Sequence, residues 1–230
     1  MLPEGVVKEK WEAGLGEEVD FWERWLSGKT AYENDRRLRL TPGRELPGWV
    51  IDELPADQTE VRILDVGAGP VAAFGNRWDG HKVELVPVDP LAEQFQQILA
   101  ANGLSAPVPT IKGFGERLVE QFGENSFDFA YACNCLDHSL DPVRCYQEML
   151  RVLKPGRALV TYHEANEAVH QNYVGLHQWN FELRPVDGAS RVFVWNPQVA
   201  IDLVEALEGL GEWSVKDERG YIRLTLRKSL

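Results

Sequence analysis

The chain has 230 residues, of which 44% are hydrophobic and 26% are charged. This composition is typical of one folded domain with additions, long enough to bury a substantial core. The formal net charge of −12 argues against a nucleic-acid partner, because a phosphate backbone requires a basic surface. We expect a cytoplasmic protein without membrane association, since no apolar run could span a bilayer and no signal-peptide pattern is present. The three cysteines, which lack disulfide spacing, agree with that compartment.

Residues 1–54 form the first predicted unit, a helical cap. Apolar residues recur at helical spacing over 18–26, and further short helices are predicted over 32–40 and 46–54. We expect this cap to cover one edge of a sheet and also to act as a lid over a ligand. Residues 55–230 form the second predicted unit, the core.

The most informative segment of the core is a short apolar run that predicts a buried parallel strand over 61–66. Asp65 lies near its carboxyl end, and Gly67 and Gly69 follow. The two glycines allow a tight turn and a close approach of the backbone to a ligand. A proline then suits the first position of a helix, which we predict over 70–78.

A second predicted strand, 82–88, ends at Asp89, with Pro90 next in the same loop. An acid at about 20 residues beyond such a glycine turn can bind ribose hydroxyls, so we expect a nucleoside ligand across the strand ends. The glycines together with Ala72 match the dinucleotide fingerprint. However, the carboxylate of Asp65 would repel a pyrophosphate and would instead pair with an ammonium group.

Strands and helices alternate through the rest of the core, which predicts a parallel sheet with helices on both faces. The remaining strands of this pattern are expected near 108–112, 126–132 and 157–163, and its helices near 91–101, 115–122 and 141–153. A helix near 197–209 and strands near 212–218 and 220–228 complete the chain. The excursion 164–196 alternates apolar and polar residues around an Asp-Gly turn, which predicts a β-hairpin over the ligand crevice.

Segments in chain order resemble the class I S-adenosylmethionine-dependent methyltransferases that act on small molecules. The segments beyond the second predicted strand that carry this resemblance are 111–118, 127–138 and 149–160, and the resemblance covers about residues 55–163. It implies an α/β fold with a doubly wound, mostly parallel seven-stranded sheet that closes with an antiparallel hairpin. It also implies S-adenosyl-L-methionine as the cofactor.

The resemblance implies which residues bind that cofactor. They are Asp65, Gly67, Ala68 and Gly69 at the methionine end, Asp89 and Pro90 at the ribose, Gly115 and Glu116 along the adenine, and Asn134 beneath the methyl group. Two positions depart from the family pattern. Val71 replaces the third glycine, and Phe114 stands where many relatives carry an acid, so we expect Phe114 to cover the adenine face instead.

Methyl transfer requires a general base only if the acceptor must lose a proton, and histidine suits that role near neutral pH. The candidate bases are His138, His163 and His177, because each falls at or after the end of the fourth or fifth predicted strand. His138 could instead cap the helix predicted to begin near Asp141.

Two other function classes stay open at this stage: an NAD(P)-dependent oxidoreductase and a non-catalytic protein that binds a nucleoside cofactor. We expect a small-molecule acceptor and no metal. Metal binding by Cys133, Cys135 and His138, or by the histidines spaced seven residues apart after 163, is less favoured than structural roles. The aromatic residues of the 164–196 hairpin could line a pocket or form a homodimer interface.

Overall fold

The computed structural model describes residues 4–230, with side chains described from residue 8 onward. Its α-helices are α1 Glu4–Leu26, α2 Glu33–Arg39, α3 Gly48–Ile51, α4 Ala92–Ala101, α5 Leu118–Phe122, α6 Pro142–Val152, α7 Glu167–His170 and α8 Leu203–Ala206. Its strands are β1 Glu60–Val66, β2 Lys82–Asp89, β3 Ile111–Lys112, β4 Phe127–Cys133, β5 Leu153–Glu164, β6 Asn180–Val186, β7 Ala189–Asn196, β8 Val199–Asp202, β9 Gly211–Glu218 and β10 Tyr221–Lys228.

A seven-stranded sheet in the order β3-β2-β1-β4-β5-β10-β9 forms the centre of the fold. The first five strands in this order are parallel neighbours, and β10 pairs antiparallel with both β5 and β9. The predicted doubly wound sheet and its closing hairpin are confirmed. The strand order reverses between β1 and β4, and ligands of open α/β folds bind beyond the carboxyl ends of strands at such a point.

Both faces of the sheet are covered, because successive side chains of a buried strand point to opposite sides. Ile63 of β1 packs in one apolar cluster with Val50 of α3. The next residue, Leu64, packs in the opposite cluster with Met149 of α6. The continuous apolar run in β1 is therefore explained by burial on two sides.

The helix predicted over 70–78 is wrong, since the segment between β1 and β2 is irregular. Its backbone groups form hydrogen bonds with the residues before α3 instead of helical hydrogen bonds within the segment. The N–H of Leu46 donates to the carbonyl of Arg77, and the N–H of Arg77 donates to that of Arg44. A Cβ at Gly75 would overlap the carbonyl of Arg44, so the glycine permits this close crossing.

The helix predicted over 197–209 is also wrong in its first part, where the chain forms β8 and then only the short α8. β8 pairs antiparallel with β7, which satisfies its backbone. Asp202 ends the strand and caps the helix, because its carboxylate accepts the N–H groups of Val204 and Glu205.

The predicted hairpin after β5 is confirmed as β6 and β7, which β8 extends to a three-stranded antiparallel sheet. Its apolar face packs on the protein's own core, in the same cluster as α6, through Trp179, Phe181, Val192 and Val194. Trp179 and Phe181 therefore pack in the core and do not line the pocket, whereas Phe193 and Trp195 on the opposite face are half-buried.

The amino-terminal cap is confirmed as helical, although α1 is longer than predicted and α3 is a single turn. Trp25 and Leu26 at the end of α1 are buried against Val71 and Leu99. Across residues 4–230, no helix has the length and apolar content needed to cross a bilayer.

Candidate active site

A cavity of about 640 Å³ opens beyond the carboxyl ends of β1, β2 and β4. The loops after these strands contribute Gly67, Asp89 and Asn134, α1 contributes Trp22 from above, and the insertion contributes His177. Ligand pockets have volumes of roughly 300–1,000 Å³, so this cavity is of ordinary size for one. It lies at the point where the strand order reverses, as the sequence predicted for the ligand.

The loop after β1 requires glycine at two positions, for reasons of both backbone and space. Gly67 and Gly69 adopt left-handed φ values of +65° and +66°. A Cβ at Gly69 would lie 2.7 Å from the ring of Trp22, and one at Gly67 would lie 2.5 Å from Cys135. Both glycines are thus closely packed, and of the two it is Gly67 that borders the cavity.

Asp89 at the end of β2 is the buried acid of the cavity wall. Its Oδ1 accepts the N–H of Leu91 at 2.9 Å, and its Oδ2 accepts the N–H of Gly69 at 3.1 Å. Burial raises the pKa of Asp89 to about 7, the two hydrogen bonds oppose that rise, and Glu18 adds to it. Each carboxylate oxygen keeps a lone pair, so Asp89 can still accept two hydroxyl groups from a ligand.

Asp65 lies behind the glycine loop and is not part of the cavity lining. Its Oδ2 accepts the N–H of Ala73 at 2.9 Å, because the chain folds back over the strand end where a helix was predicted. Burial raises the pKa of Asp65 to about 6, against the pull of Arg39 and Arg44. The structure places the Asp65 carboxylate behind the loop, which it supports, and its direct pairing with a ligand ammonium stays a prediction.

The other predicted cofactor-binding residues all border the cavity: Ala68, Pro90, Gly115, Glu116 and Asn134. Two of these side chains are already engaged with the fold. The Glu116 carboxylate accepts the N–H of Leu140 at 2.9 Å, and Asn134 Oδ1 accepts the N–H of Glu164 at 2.7 Å. Glu116 and Asn134 therefore shape the cavity by holding the loops after β4 and β5 in place.

Asp137, His138 and His177 meet at one end of the cavity. Asp137 Oδ2 lies 2.8 Å from His177 Nδ1 and 3.2 Å from His138 Nε2, and the two histidine nitrogens are 3.1 Å apart. A 3₁₀ turn over Leu136–His138 lets the adjacent Asp137 and His138 side chains face one point. The sequence placed both histidines near the crevice but did not predict that Asp137 joins them.

The electrostatics of this cluster keep a proton on His138. Burial lowers the pKa of His138, but the charges of Asp137 and Glu18 outweigh burial and raise it to about 10. Burial likewise raises the pKa of Asp137, and the interaction with His138 reverses this, so the net pKa is below the usual range. A histidine in this state cannot act as a base near neutral pH. Nor does it cap α6, since Asp141 does so by accepting the N–H of Arg144.

The third candidate base, His163, is buried beneath the cavity and does not line it. Its ring stacks on Phe181 with centroids 3.7 Å apart, and its Nε2 lies 3.0 Å from Tyr146 Oη. Burial lowers the pKa of His163 to about 3. The prediction of a base at His163 is corrected, because the side chain points into the core under β5.

The sequence predicted that the amino-terminal cap acts as a lid, but not which side chains of α1 line the cavity. Trp22 Nε1 donates to Glu18 Oε1 at 2.7 Å, and both side chains face the cavity. Trp11 lies further along the helix, with its ring centroid 6.3 Å from that of Phe114. The tryptophans at helical spacing in α1 were the available signal, but periodicity alone does not show which ligand-binding loop a helix covers.

The cavity wall is acidic. Its acidic side chains are Glu17, Glu18, Asp35, Asp89, Glu116, Glu164 and Glu167, whereas its arginines are Arg24 and Arg39. Burial raises the pKa of Glu167 to about 8, with further repulsion from Asp137 and Glu164, so this carboxyl tends to hold its proton. The remaining negative charge favours a cationic ligand and disfavours a pyrophosphate.

Comparison with known proteins agrees with the sheet order and the glycine loop. Residues 64–161 match a family model described as a methyltransferase domain. The chain is 30% identical over 178 residues to cycloartenol-C-24-methyltransferase 1 of Oryza sativa subsp. japonica, covering 70% of this chain and 46% of that protein. It is 33% identical over 120 residues to a glycine/sarcosine/dimethylglycine N-methyltransferase of Actinopolyspora halophila, covering 50% and 21%. The chain thus spans less than half the length of these two curated relatives.

Among solved structures, the CurJ carbon methyltransferase superposes with a TM-score of 0.52 at 15% identity, covering 78% of this chain and 51% of that one. At this identity the likeness concerns the fold, which is the class I methyltransferase fold. Residues 64–161 therefore match the methyltransferase-domain family, and the chain has the class I methyltransferase fold that its motifs predicted.

Proposed function

We propose that this protein transfers the methyl group of S-adenosylmethionine to an oxygen or nitrogen atom of a small molecule. The observation that carries this proposal is the meeting of the glycine loop and the Asp89 carboxylate in an acid-lined cavity. S-adenosylmethionine brings a sulfonium, an ammonium and a ribose diol, which suit that wall. A dinucleotide would bring a pyrophosphate, which does not.

In the proposed binding mode, Asp89 accepts the ribose hydroxyls and Pro90 lies beside the ribose. The backbone from Gly67 to Gly69 borders the methionine end. The adenine lies against Phe114 near Gly115, where an aromatic face replaces the acid found in many relatives. Asn134 fixes the loop beneath the reacting methyl group through its hydrogen bond to the backbone of β5.

The acceptor would occupy the end of the cavity that contains the Asp137, His138 and His177 cluster. Methyl transfer is an in-line displacement, so positioning and exclusion of water supply most of the acceleration. We infer that the cap, residues 1–54, acts as the lid that excludes water, because Trp22 and Glu18 of α1 border the cavity. The polar groups of the cluster would bind the acceptor's oxygen or nitrogen.

A carbon acceptor is the second candidate. It is favoured by the similarity to a protein described as a cycloartenol-C-24-methyltransferase. Aromatic side chains of the cavity, among them Trp11, Phe21 and Trp22, could stabilise a cationic centre on carbon by their ring faces.

Isothermal titration with S-adenosylhomocysteine and with NAD tests the cofactor. We expect binding of the former only, and binding of NAD alone would overturn the proposal. A screen with cofactor labelled in its methyl group then tests the acceptor, with phenols, amines and sterols as separate arms. If the label is transferred only to a carbon atom of a sterol, the acceptor atom is carbon and the proposal of an oxygen or nitrogen acceptor is wrong.

A further inference from the structure

The Asp137, His138 and His177 cluster has the spacing of ligands around one metal ion. Three ligand atoms at about 2.1 Å from an ion, at right angles to one another, lie about 3.0 Å apart. The three distances here are 2.8, 3.1 and 3.2 Å. Two histidines and one carboxylate on one side of an ion form an arrangement that binds divalent transition metals and leaves the other positions open.

Hydrogen bonding alone does not account for this triangle. A carboxylate oxygen only accepts, and each histidine nitrogen either donates one proton or accepts. If both nitrogens donate to Asp137 Oδ2, their N–H groups face each other at 3.1 Å without a bond. If one nitrogen is unprotonated, it can accept a hydrogen bond from the other histidine, but its lone pair then faces the carboxylate oxygen of Asp137. At least one of the three contacts is unfavourable in every case, whereas a cation satisfies all three at once.

The surroundings of the cluster supply what a metal site needs outside its ligands. Metal-binding histidines commonly direct their second nitrogen to a carboxylate, which fixes the ring. Glu18 Oε2 lies 3.7 Å from His138 Nδ1, the nitrogen that points away from the triangle, a distance that allows charge attraction but is too long for a hydrogen bond. The other oxygen of Asp137, Oδ1, is buried without a hydrogen-bond partner among the described residues, so its lone pairs are unsatisfied.

We propose that Asp137, His138 and His177 bind one divalent transition-metal ion of the zinc and cobalt class, with open coordination positions toward the cavity. This proposal differs from the expectation from sequence that no metal is bound. Neither of the metal sets considered from the sequence contained Asp137, because residues adjacent in sequence rarely face one another outside a tight turn such as Leu136–His138.

The assignment deepens the proposed methyl transfer, on which its functional meaning rests. His138 and His177 border the cavity, so an ion held between them would meet the acceptor directly. A metal ion can bind an acceptor hydroxyl and lower its pKa, and the oxygen keeps a further lone pair with which to attack the methyl group. The ion would take the place of the proton that His138 otherwise holds, because a ligating nitrogen must be unprotonated, and it would remove the need for a histidine base.

The test is a titration of chelator-treated, full-length protein with Co²⁺, followed by its visible absorption, and with Zn²⁺, followed by calorimetry. We expect one ion per chain and visible bands typical of histidine coordination. His177→Ala and the nearly isosteric Asp137→Asn should each weaken binding at least about tenfold. His81→Ala is the matched control, since His81 stacks on Trp78 in the loop before β2, away from the cavity.

Uptake of Co²⁺ that is equal in the wild type and in both cluster variants would overturn the site, provided that circular dichroism shows all of them folded. Asp137→Asn keeps the test decisive if His177→Ala does not fold. S-adenosylhomocysteine binding to the metal-free protein is measured in parallel. A protein that binds this ligand but no metal refutes the metal site alone, and one that binds metal but no nucleoside refutes the proposed function alone.

Discussion

Asp89 Oδ2 accepts the backbone N–H of Gly69 at 3.1 Å, which joins the end of β2 to the glycine loop after β1. The same carboxylate also accepts the N–H of Leu91 at the start of α4. The acid that sequence reasoning assigned to a ribose therefore also sets the shape of the loop beside it. Ligand binding and loop geometry are coupled through one side chain.

Asp89→Ala should weaken S-adenosylhomocysteine binding by about 1.5–3 kcal/mol, the loss expected when charge-assisted hydrogen bonds disappear. Calorimetric titration measures this change. Glu93→Ala is the matched control, because Glu93 is an exposed acid on α4 that pairs with Lys112. Equal affinities of the Asp89→Ala variant and the control would refute the ribose assignment.

Cofactor affinity should also depend on pH through the same residue. Burial raises the pKa of Asp89 to about 7, with Glu18 adding to the rise and His138 opposing it across the cavity. The ionised carboxylate accepts both ribose hydroxyls, so affinity should rise as pH increases through that pKa and become constant above it. The slope below it should not exceed about tenfold per pH unit. Asp89→Asn should lose this dependence, and a slope unchanged in that variant would assign it to another group.

Gly69→Ala should lower both stability and S-adenosylhomocysteine affinity. The cost contains about 1–2 kcal/mol from the left-handed backbone and a further part from the overlap with Trp22. Trp22→Ala removes only the overlap, so it should rescue the glycine variant in part. A double-mutant cycle on unfolding measures this coupling, which we expect to be about 1 kcal/mol. Additive effects would mean that the loop and α1 do not touch in solution.

Asp65→Asn tests whether that carboxylate acts on the ligand or on the loop. Because Asp65 bonds to Ala73 behind the loop, the variant should weaken S-adenosylhomocysteine and its analogue without the amino group by the same factor. Competition binding with the two ligands gives this comparison. A larger loss for the amine-bearing ligand would restore the direct pairing with an ammonium.

His163 should contribute to stability in a pH-dependent way without a role in binding. Its pKa is about 3 in the folded protein against an ordinary value of 6.5, so the unfolded chain takes up a proton first. The stability that the neutral ring contributes is complete above pH 6.5 and is lost as pH falls. Relative to His163→Gln, the wild type should lose about 1–2 kcal/mol between about pH 7 and pH 5. Denaturant unfolding measures this, and S-adenosylhomocysteine affinity of the variant should stay within about twofold.

The central strands could be predicted from the sequence because burial on both faces produces continuous apolar runs. β1, β2 and β4 lie within one or two residues of their predicted bounds. The false helix over 70–78 has a physical reason, since Pro70 and the alanines after it suit a helix start. What decides against a helix is the pairing of Arg77 with Arg44 and Leu46, a contact between distant segments that local periodicity does not contain.

The glycine loop and the acid beside it could be predicted because their sequence motif is compatible with one backbone conformation. Gly67 and Gly69 adopt the left-handed conformations expected of them, and Asp89 stands at its strand end beside the cavity. The roles of the histidines were harder to predict, because a position near a strand end does not show which way the side chain points. His163 and His177 followed the same rule, yet one lies in the core and the other borders the cavity.

α1 crosses the mouth of the cavity, and Lys10 on this helix donates to the carbonyl of His177 at 3.1 Å. The helix α1 and the insertion after β5 are thus joined to each other beside the cavity. A lid formed by these two segments would have to break this contact to exchange spent for fresh cofactor, on the microsecond-to-millisecond timescale of such motions. The turnover rate would then depend on how often one hydrogen bond between α1 and the insertion opens.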